Sequence, residues 1–406
     1  MSASASPFTT RVAIACGGTG GHLFPGVAVG RELLNRGVAV TLFVSSKEVD
    51  RQAVAKLPPG FEIEVLPAVG LSRGRALASV IAALRSGAQA RRLFRNRPVN
   101  AVLAMGGFTS FPVALAGRWC GATTFLHESN TIPGRANRWL APWVSACFVG
   151  FSEAASRLKN RNTTVTGTPV RAGFVPTDPA AARIALGFRP DQPLLVVIGG
   201  SQGAEGVNRL VVQSLPALLE AMPDLQVFHV TGNRDFESVT TAFASFGDRV
   251  RVTPFHQGMD VALAAATVAV SRSGASSLAE FAAMRVPAIL IPFPAATDDH
   301  QRVNALAMVK VGASRMLEQH TASVSDLVHS VRELITDEAV RSTMIQSLSA
   351  LDAPGAAGRI AEQILSQSGV LASAPASHRS GESRSNRRSV GVSVGVDVTR
   401  TRETLA

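Results

Sequence analysis

Apolar positions along this chain gather in short unbroken runs that end in glycine, and each run gives way to a helical period. Residues 11–22, RVAIACGGTGGH, run from an apolar segment into a glycine loop, and a helix is expected over Pro25–Arg36. Residues 193–204, PLLVVIGGSQGA, repeat that grammar before a helical stretch from Asn208 to Ala221. Continuous β-branched runs closed by glycine loops mark buried parallel strands, because a strand covered on both faces has no polar alternation. Further strands are expected at 38–44, 61–66, 99–105, 122–126 and 145–149, then at 225–230, 249–253, 267–271 and 287–292. Two doubly wound α/β domains follow, joined near Gly167–Val175. A ligand belongs between them, outside the carboxyl ends of the strands.

The loops narrow the chemistry. Gly17-Gly18-Thr19-Gly20-Gly21-His22 opens a helix, so its amides and the helix dipole favour an anion such as phosphate. No GxGxxG can be laid over it. The four lysines (Lys47, Lys56, Lys159, Lys310) leave no GxxxxGK[ST], so nicotinamide chemistry and P-loop hydrolysis both recede. Gly199-Gly200-Ser201-Gln202-Gly203 formally fits GxSxG, which keeps a serine hydrolase open, with Ser201 followed by Asp298 or Asp299 and by His320. Against it, that fold has one sheet, whereas two wound halves are read here. Residues 267–292 read as strand, small-residue loop, helix and strand. There Ser273 to Ser277 crowd a helix start with small side chains, and Glu280 lies one turn in.

The chain has 406 residues, 46% of them hydrophobic and 17% charged, enough for two medium cores. Forty Lys and Arg against 29 Asp and Glu leave a net charge of +11, which points to anionic partners. Residues 71–97 carry seven arginines and no acid. Leu77, Val80, Ile81, Leu84, Ala88 and Arg91 follow helical spacing there, a pattern that fits either a helix on an anionic membrane or a core-facing helix with a basic outer face. Three cysteines (Cys16, Cys120, Cys147), an odd number, argue for a reducing compartment. The N-terminus reads as neither signal peptide nor membrane span, so a cytosolic protein is expected. The Ser-, Gly- and Arg-rich segment 368–406 reads as a disordered basic tail. No nucleic-acid signature and no metal-ligand spacing occurs, so neither nucleic acid nor a metal is expected.

Taken together, GGTGGHLFP (17–25), MGGFTSFP (105–112), HESNTIPGRANRWLA (127–141), GTPVR (167–171), GGSQGAEGVN (199–208), SRSGASSLAE (271–280) and PFPAATDDHQRVNA (292–305) resemble the MurG family of UDP-N-acetylglucosamine transferases over residues 9–367. The resemblance implies a GT-B fold. Residues 9–170 would form the acceptor- and membrane-binding domain, together with a returning helix at 352–367, and 171–351 the UDP-GlcNAc domain. It implies inverting transfer of GlcNAc to the 4-hydroxyl of undecaprenyl-pyrophosphoryl-MurNAc-pentapeptide at the cytoplasmic face of an anionic membrane. UDP-GlcNAc is the donor and no cofactor is expected. Another UDP-sugar glycolipid transferase is the nearest relative reading.

Carried onto this sequence, the resemblance places Thr19, Gly20 and Gly21 between donor sugar and acceptor. Asn130 would bond a GlcNAc hydroxyl, and Arg171 and Ser201 would lie near the diphosphate. The backbone at Phe255–His256 would meet uracil. Ala275, Ser276, Ser277, Leu278 and Ala279 would form the phosphate-binding helix start, Glu280 the ribose contact, and His300 with Gln301 the sugar-reading stretch. Gly18, Gly106, Gly107 and His127 would serve the acceptor. His22 is the candidate base, with its pKa expected to be lowered at the helix mouth, and His127 or Glu128 are alternates. Phe108 stands where relatives often carry tyrosine, and His256 where an aliphatic residue is commoner.

Overall fold

A computed structural model describes residues 10–18, 20–47, 50–51, 54–55, 57–67, 76–199 and 203–369. The segment read as a tail lies, from residue 370 onward, outside these, as do Thr19, Ser201 and Arg73 and Arg75.

Two parallel sheets account for the apolar runs. The first joins β1 (Arg11–Ala15), β2 (Ala39–Ser45), β3 (Phe61–Leu66), β4 (Ala101–Ala104), β5 (Thr123–Glu128), β6 (Ala146–Val149) and β7 (Thr163–Val165) in the order β3-β2-β1-β4-β5-β6-β7. The second joins β8 (Leu194–Ile198), β9 (Gln226–Val230), β10 (Val250–Thr253), β11 (Val268–Ser271), β12 (Ala288–Leu290) and β13 (Arg315–Met316) as β10-β9-β8-β11-β12-β13. Central strands such as β2, β4, β6 and β11 are buried along their whole length, and the edge strands β3, β7, β10 and β13 are not. That gradient explains the readings. Buried strands announce themselves as apolar runs, while β7 and β13, two or three residues each at an edge, carry no such signal.

Seven helices matter to the site: α1 (Gly20–Asn35), α2 (Ala76–Asn96), α3 (Ser110–Trp119), α4 (Arg135–Leu140), α5 (Ala275–Met284), α6 (His300–Lys310) and α7 (Ala356–Gln367). The helix expected from Pro25 starts five residues earlier, so Gly20, Gly21 and His22 form its first turn. Pro25 therefore sits inside α1, where it has no N–H to give the carbonyl four residues back, that of Gly21. This carbonyl instead accepts from the Ser276 hydroxyl of the other lobe at 3.0 Å.

The amphipathic segment resolves against the core-facing reading. Towards the protein α2 buries Ser79, Ala82, Ser86, Ala90 and Phe94. The apolar stripe faces outward instead: Val80, Ile81 and Leu84 are 53%, 42% and 69% exposed. Trp119, Trp139 and Trp143 are likewise exposed, and the Arg91 guanidinium lies 5.9 Å from the Trp119 ring centre. No described helix is long and apolar enough to cross a membrane.

The chain passes between lobes at 166–175 and again at 352–355. A Cβ on Gly167 would stand 2.2 Å from that of Ala353, and Gly167 has φ +79°, so only glycine fits where the two crossings touch. Arg359 donates to the Thr166 carbonyl at 2.8 Å. Beyond this point α7 packs on the first lobe, burying Ile360, Ala361, Ile364 and Leu365 in the same cluster as Val12, Ile14, Val27 and Val29. Replacing Ile360, fully buried, by alanine should cost about 2–5 kcal/mol by removing methyl groups from a packed interior, read as a lowered urea midpoint.

Candidate functional site

Two glycine loops flank the point where strand order reverses in the first sheet, after β1 and after β4. Gly17 presses on β2: a Cβ there would meet the Ser45 nitrogen at 2.4 Å. Gly18, at φ +121°, donates its N–H to the buried Asp50 carboxylate at 2.7 Å, which also accepts the Ser45 amide at 2.9 Å. The Thr109 hydroxyl donates to the Gly17 carbonyl at 2.7 Å, and Ser110 ties Gly106 back to Ala15. Each loop is thus held by side chains from another strand or helix.

The His22 ring lies on the second loop. A Cβ on Gly106 would stand 3.0 Å from His22 Nε2, and one on Gly107 3.3 Å from Nδ1, with both glycines at positive φ. Burial pushes the His22 pKa below the usual imidazole value. Lys47 and His300 push it the same way, and the Glu128 and Asp50 carboxylates oppose them. Desolvation is thus the main cause of the neutrality expected of this group.

Behind it, Glu128 organises the HESN loop. Its carboxylate accepts from Asn130 N (2.8 Å), Asn130 Nδ2 (2.9 Å), Gly134 N (2.9 Å) and Asn137 Nδ2 (2.8 Å). Four N–H donors occupy the lone pairs a general base would need, so Glu128 is an organiser of the loop. His127 is fully buried, its Nε2 3.2 Å from the Gly167 carbonyl, and burial lowers its pKa to about 4. It props the inter-lobe crossing and does not face the cleft.

Facing these loops, α5 begins at Ala275 behind Gly274, with no side-chain cap, so its first-turn amides have no partner within the helix. Leu278 turns its side chain into the core, so that position offers a ligand only backbone, while Ala275, also buried, borders the cleft. The Gln301 side chain accepts from the Phe293 amide at 3.0 Å, and His300 Nδ1 is 2.7 Å from the Thr297 carbonyl. Arg171 is bonded to Glu280 at 3.3 Å and lies over the rings of Phe24 (4.3 Å) and Phe174 (4.7 Å). Burial raises the Glu280 pKa to about 7, with Arg171 holding it down. His256 packs edge-on against Phe228, ring centres 5.0 Å apart.

Gly21, His22, Gly107, Asn130, Ala275, Ser276, His300 and Gln301 line one cleft of about 1620 Å³. Gly18 and Gly106 are not part of its lining. Arg171, Glu280, His256 and His127 are not part of its lining. Three residues that the sequence reading left aside hold the cleft in shape. Asn304, fully buried in α6, accepts from Thr131 N and Oγ1 (3.0 and 2.8 Å) and donates to Asn130 Oδ1 (3.0 Å) and the Ser273 carbonyl (3.2 Å). Asn137 braces Glu128. Arg272 bonds the carbonyls of Ile291 and Pro292 and the side chain of Gln319. A signal existed for the first two: asparagine inside a helix is unfavourable unless its amide has work elsewhere. Asp298, at φ +53°, pairs with Arg135 and Arg138 across the lobes. It is therefore taken up as an ion-pair partner, and the other candidate acid, Asp299, and the candidate base, His320, are both exposed, which does not favour the hydrolase reading.

Two nucleotide-type domains facing a cleft, glycine loops on one side and an uncapped helix start on the other, define a glycosyltransferase of the GT-B class. The N-terminal domain of glycosyltransferase family 28 matches residues 12–149, and the C-terminal domain of that family residues 194–360. The UDP-N-acetylglucosamine–N-acetylmuramyl-(pentapeptide) pyrophosphoryl-undecaprenol N-acetylglucosamine transferase of Prochlorococcus marinus (strain MIT 9303) is 40% identical over 327 residues, 80% of this chain and 87% of that protein. The enzyme of the same name from Syntrophus aciditrophicus is 36% identical over 341 residues, 83% and 92% of the two chains. In structure, Acinetobacter baumannii MurG superposes with a TM-score of 0.68 at 24% identity, covering 88% of this chain and 99% of that one. The chain belongs to the MurG family of N-acetylglucosamine transferases.

Two buried histidines set the acid stability. His127 and His229 have pKa values lowered to about 4 and about 3 by burial. The unfolded chain binds their protons first, so stability is complete above about pH 6.5 and is lost as pH falls through these values. Urea denaturation at pH 7 and pH 4 should show this fall, and His127→Gln should remove up to about 3 kcal/mol of it.

Proposed function

We propose that this chain transfers GlcNAc from UDP-GlcNAc, with inversion, to the 4-hydroxyl of undecaprenyl-pyrophosphoryl-MurNAc-pentapeptide, at the cytoplasmic face of the membrane. The observation that carries the reading is the placement of His22 and the start of α5 on facing walls of one cleft, bonded through Ser276 and Gly21 at 3.0 Å.

The chemistry follows from that opposition. The donor diphosphate sits at the α5 N-terminus, where unpaired amides and the helix dipole take up the charge that develops as the bond from sugar C1 to the diphosphate breaks. The acceptor hydroxyl attacks C1 from the other face and gives its proton to the His22 imidazole, which burial keeps neutral. UDP leaves with the bonding pair, and the new bond has inverted configuration. Glu280 and Arg171, paired beside Phe24, are the ribose and phosphate contacts, and Asn130, His300 and Gln301 face the sugar. No cofactor enters this scheme. Phe108 gives the acceptor a ring face with Lys47 over it, 5.0 Å from the ring centre.

The acceptor's lipid confines it to a bilayer, and the exposed stripe of α2 with Trp119, Trp139 and Trp143 supplies an apolar face rimmed by arginine. Arginines near an anionic surface contribute about 1 kcal/mol each. Replacing Arg85, Arg91, Arg92 and Arg95 by Glu should release the protein from phosphatidylglycerol vesicles in a sedimentation assay, and undiminished binding would remove this surface from consideration.

Transfer of radiolabelled GlcNAc to a short-chain lipid I analogue tests the reaction itself. Wild type should transfer, while His22→Ala should lose at least a hundredfold in kcat with UDP binding intact, the usual scale of a general base. The acid limb of the kcat/KM profile should fall below pH 6.5, since His22 titrates below the usual imidazole value. A well-folded protein that binds UDP-GlcNAc and transfers to no such acceptor would rule the assignment out.

A further inference from the structure

His229, in β9, is fully buried, and its Nδ1 has no hydrogen-bond partner among the described residues. Phe243 packs against the ring, centres 5.8 Å apart. A leucine would fill such a place without burying an unpaired nitrogen, so what the imidazole adds is its other nitrogen. Nε2 stands 2.9 Å from the side-chain oxygen of Asn208. Both N–H groups of the Asn208 amide are committed, to the Thr231 carbonyl at 3.0 Å and to the Asp235 carboxylate at 2.8 Å. The amide oxygen can only accept, so the proton of His229 sits on Nε2 and Asn208 has one orientation.

Asn208 holds the end of β9 against the glycine loop that follows β8. A Cβ on Gly199 would stand 3.0 Å from the Thr231 carbonyl oxygen, and one on Gly203 3.2 Å from it. Both ends of the loop thus rest on the atom that Asn208 bonds. Gly203 has φ +77°, and the Gly199 amide donates to the Val230 carbonyl at 2.8 Å. Asn208 itself lies in the first turn of the helix Glu205–Ala221, which the loop opens. Loop ends, strand end and helix start therefore share one side-chain amide.

This junction stands where a ligand belongs. β8 pairs with β11 at the point where strand order reverses in the second sheet. The loop after β8 accordingly emerges beside the segment that leads from β11 into α5, about 5 Å away, the spacing of paired strands. Resting on the donor site proposed above, we infer that His229 is a positioning residue for the donor diphosphate: through Asn208 it fixes loop 199–203 and the helix start behind it. His229 does not line the cleft, so it acts without touching the donor.

The experiment measures equilibrium binding of UDP and of uridine, which lacks the phosphates, to the full-length protein. His229→Leu fills the space and removes the donor, whereas His229→Gln returns an N–H to the place of Nε2. His229→Leu should weaken UDP about fivefold to tenfold, the scale of one lost hydrogen bond, and leave uridine within about twofold. His229→Gln should recover most of the loss. In transfer assays His229→Leu should raise the KM for UDP-GlcNAc and leave the KM for the acceptor unchanged. Should the leucine variant show no cooperative unfolding in urea, His229→Asn takes its place, because its amide stands where Nδ1 does and falls short of Asn208. Unchanged UDP affinity in the variant without the donor would overturn the inference. A loss for uridine as large as for UDP would do the same, being the mark of a lobe loosened throughout. So would a glutamine variant as weak as the leucine one. Each of these leaves the transferase reading standing, while a wild type that binds no UDP would defeat that reading and this inference together.

Discussion

A carboxylate removed from water must be surrounded by donors, and the site is built around how Glu128 meets that demand. Its four N–H partners come from Asn130, Gly134 and Asn137, which closes the loop between β5 and α4 on the first turn of that helix. From that loop hang the elements that join the lobes. Asn130 and Thr131 meet Asn304, while Arg135 and Arg138, on the helix that the loop launches, meet Asp298. Were Glu128 neutral or short, the donors would be left buried and the second lobe would lose its main polar anchorage on the first.

The same economy of backbone governs His22. A glycine pair at positive φ lets an imidazole lie flat on the main chain, and the desolvation that follows keeps that imidazole unprotonated. Position and protonation state therefore have one cause. The second lobe answers with a helix start left uncapped, so that its amides remain available to a ligand. Each side of the cleft offers groups that the protein itself has left without partners, or held neutral, at some cost in local stability.

Much of this was legible in the residues. Buried strands declared themselves as apolar runs, and glycine loops marked the strand ends where the site lies. Edge strands β7 and β13 did not, because half-exposed residues obey no strong pattern. The start of α1 was misplaced because Pro25 is a common first helical residue, whereas here it stands inside the helix. The stripe on α2 had the spacing of a core face but lies outward. Periodicity shows that residues share a side, and only the opposite side, with Ala82, Ala90 and Phe94, told which way the helix turned. The role of Asn304 is not local, because Asn130 and Thr131, its partners in the first lobe, are more than 170 residues away in the chain. The pairing of Arg171 with Glu280, 109 residues apart, was equally beyond any local pattern.

The two crossings between lobes bear on what the molecule can do mechanically. They touch where Gly167 meets Ala353, and Arg359 fastens the second to the first. Two covalent links held a side chain apart behave as the knuckles of a door. Turning about the line through them stretches neither, while sliding or twisting strains both. A small rotation at this axis is magnified at the far edge of the cleft in proportion to distance. Leverage of this kind lets a modest local change in Gly167 and its neighbours decide how widely the whole mouth gapes.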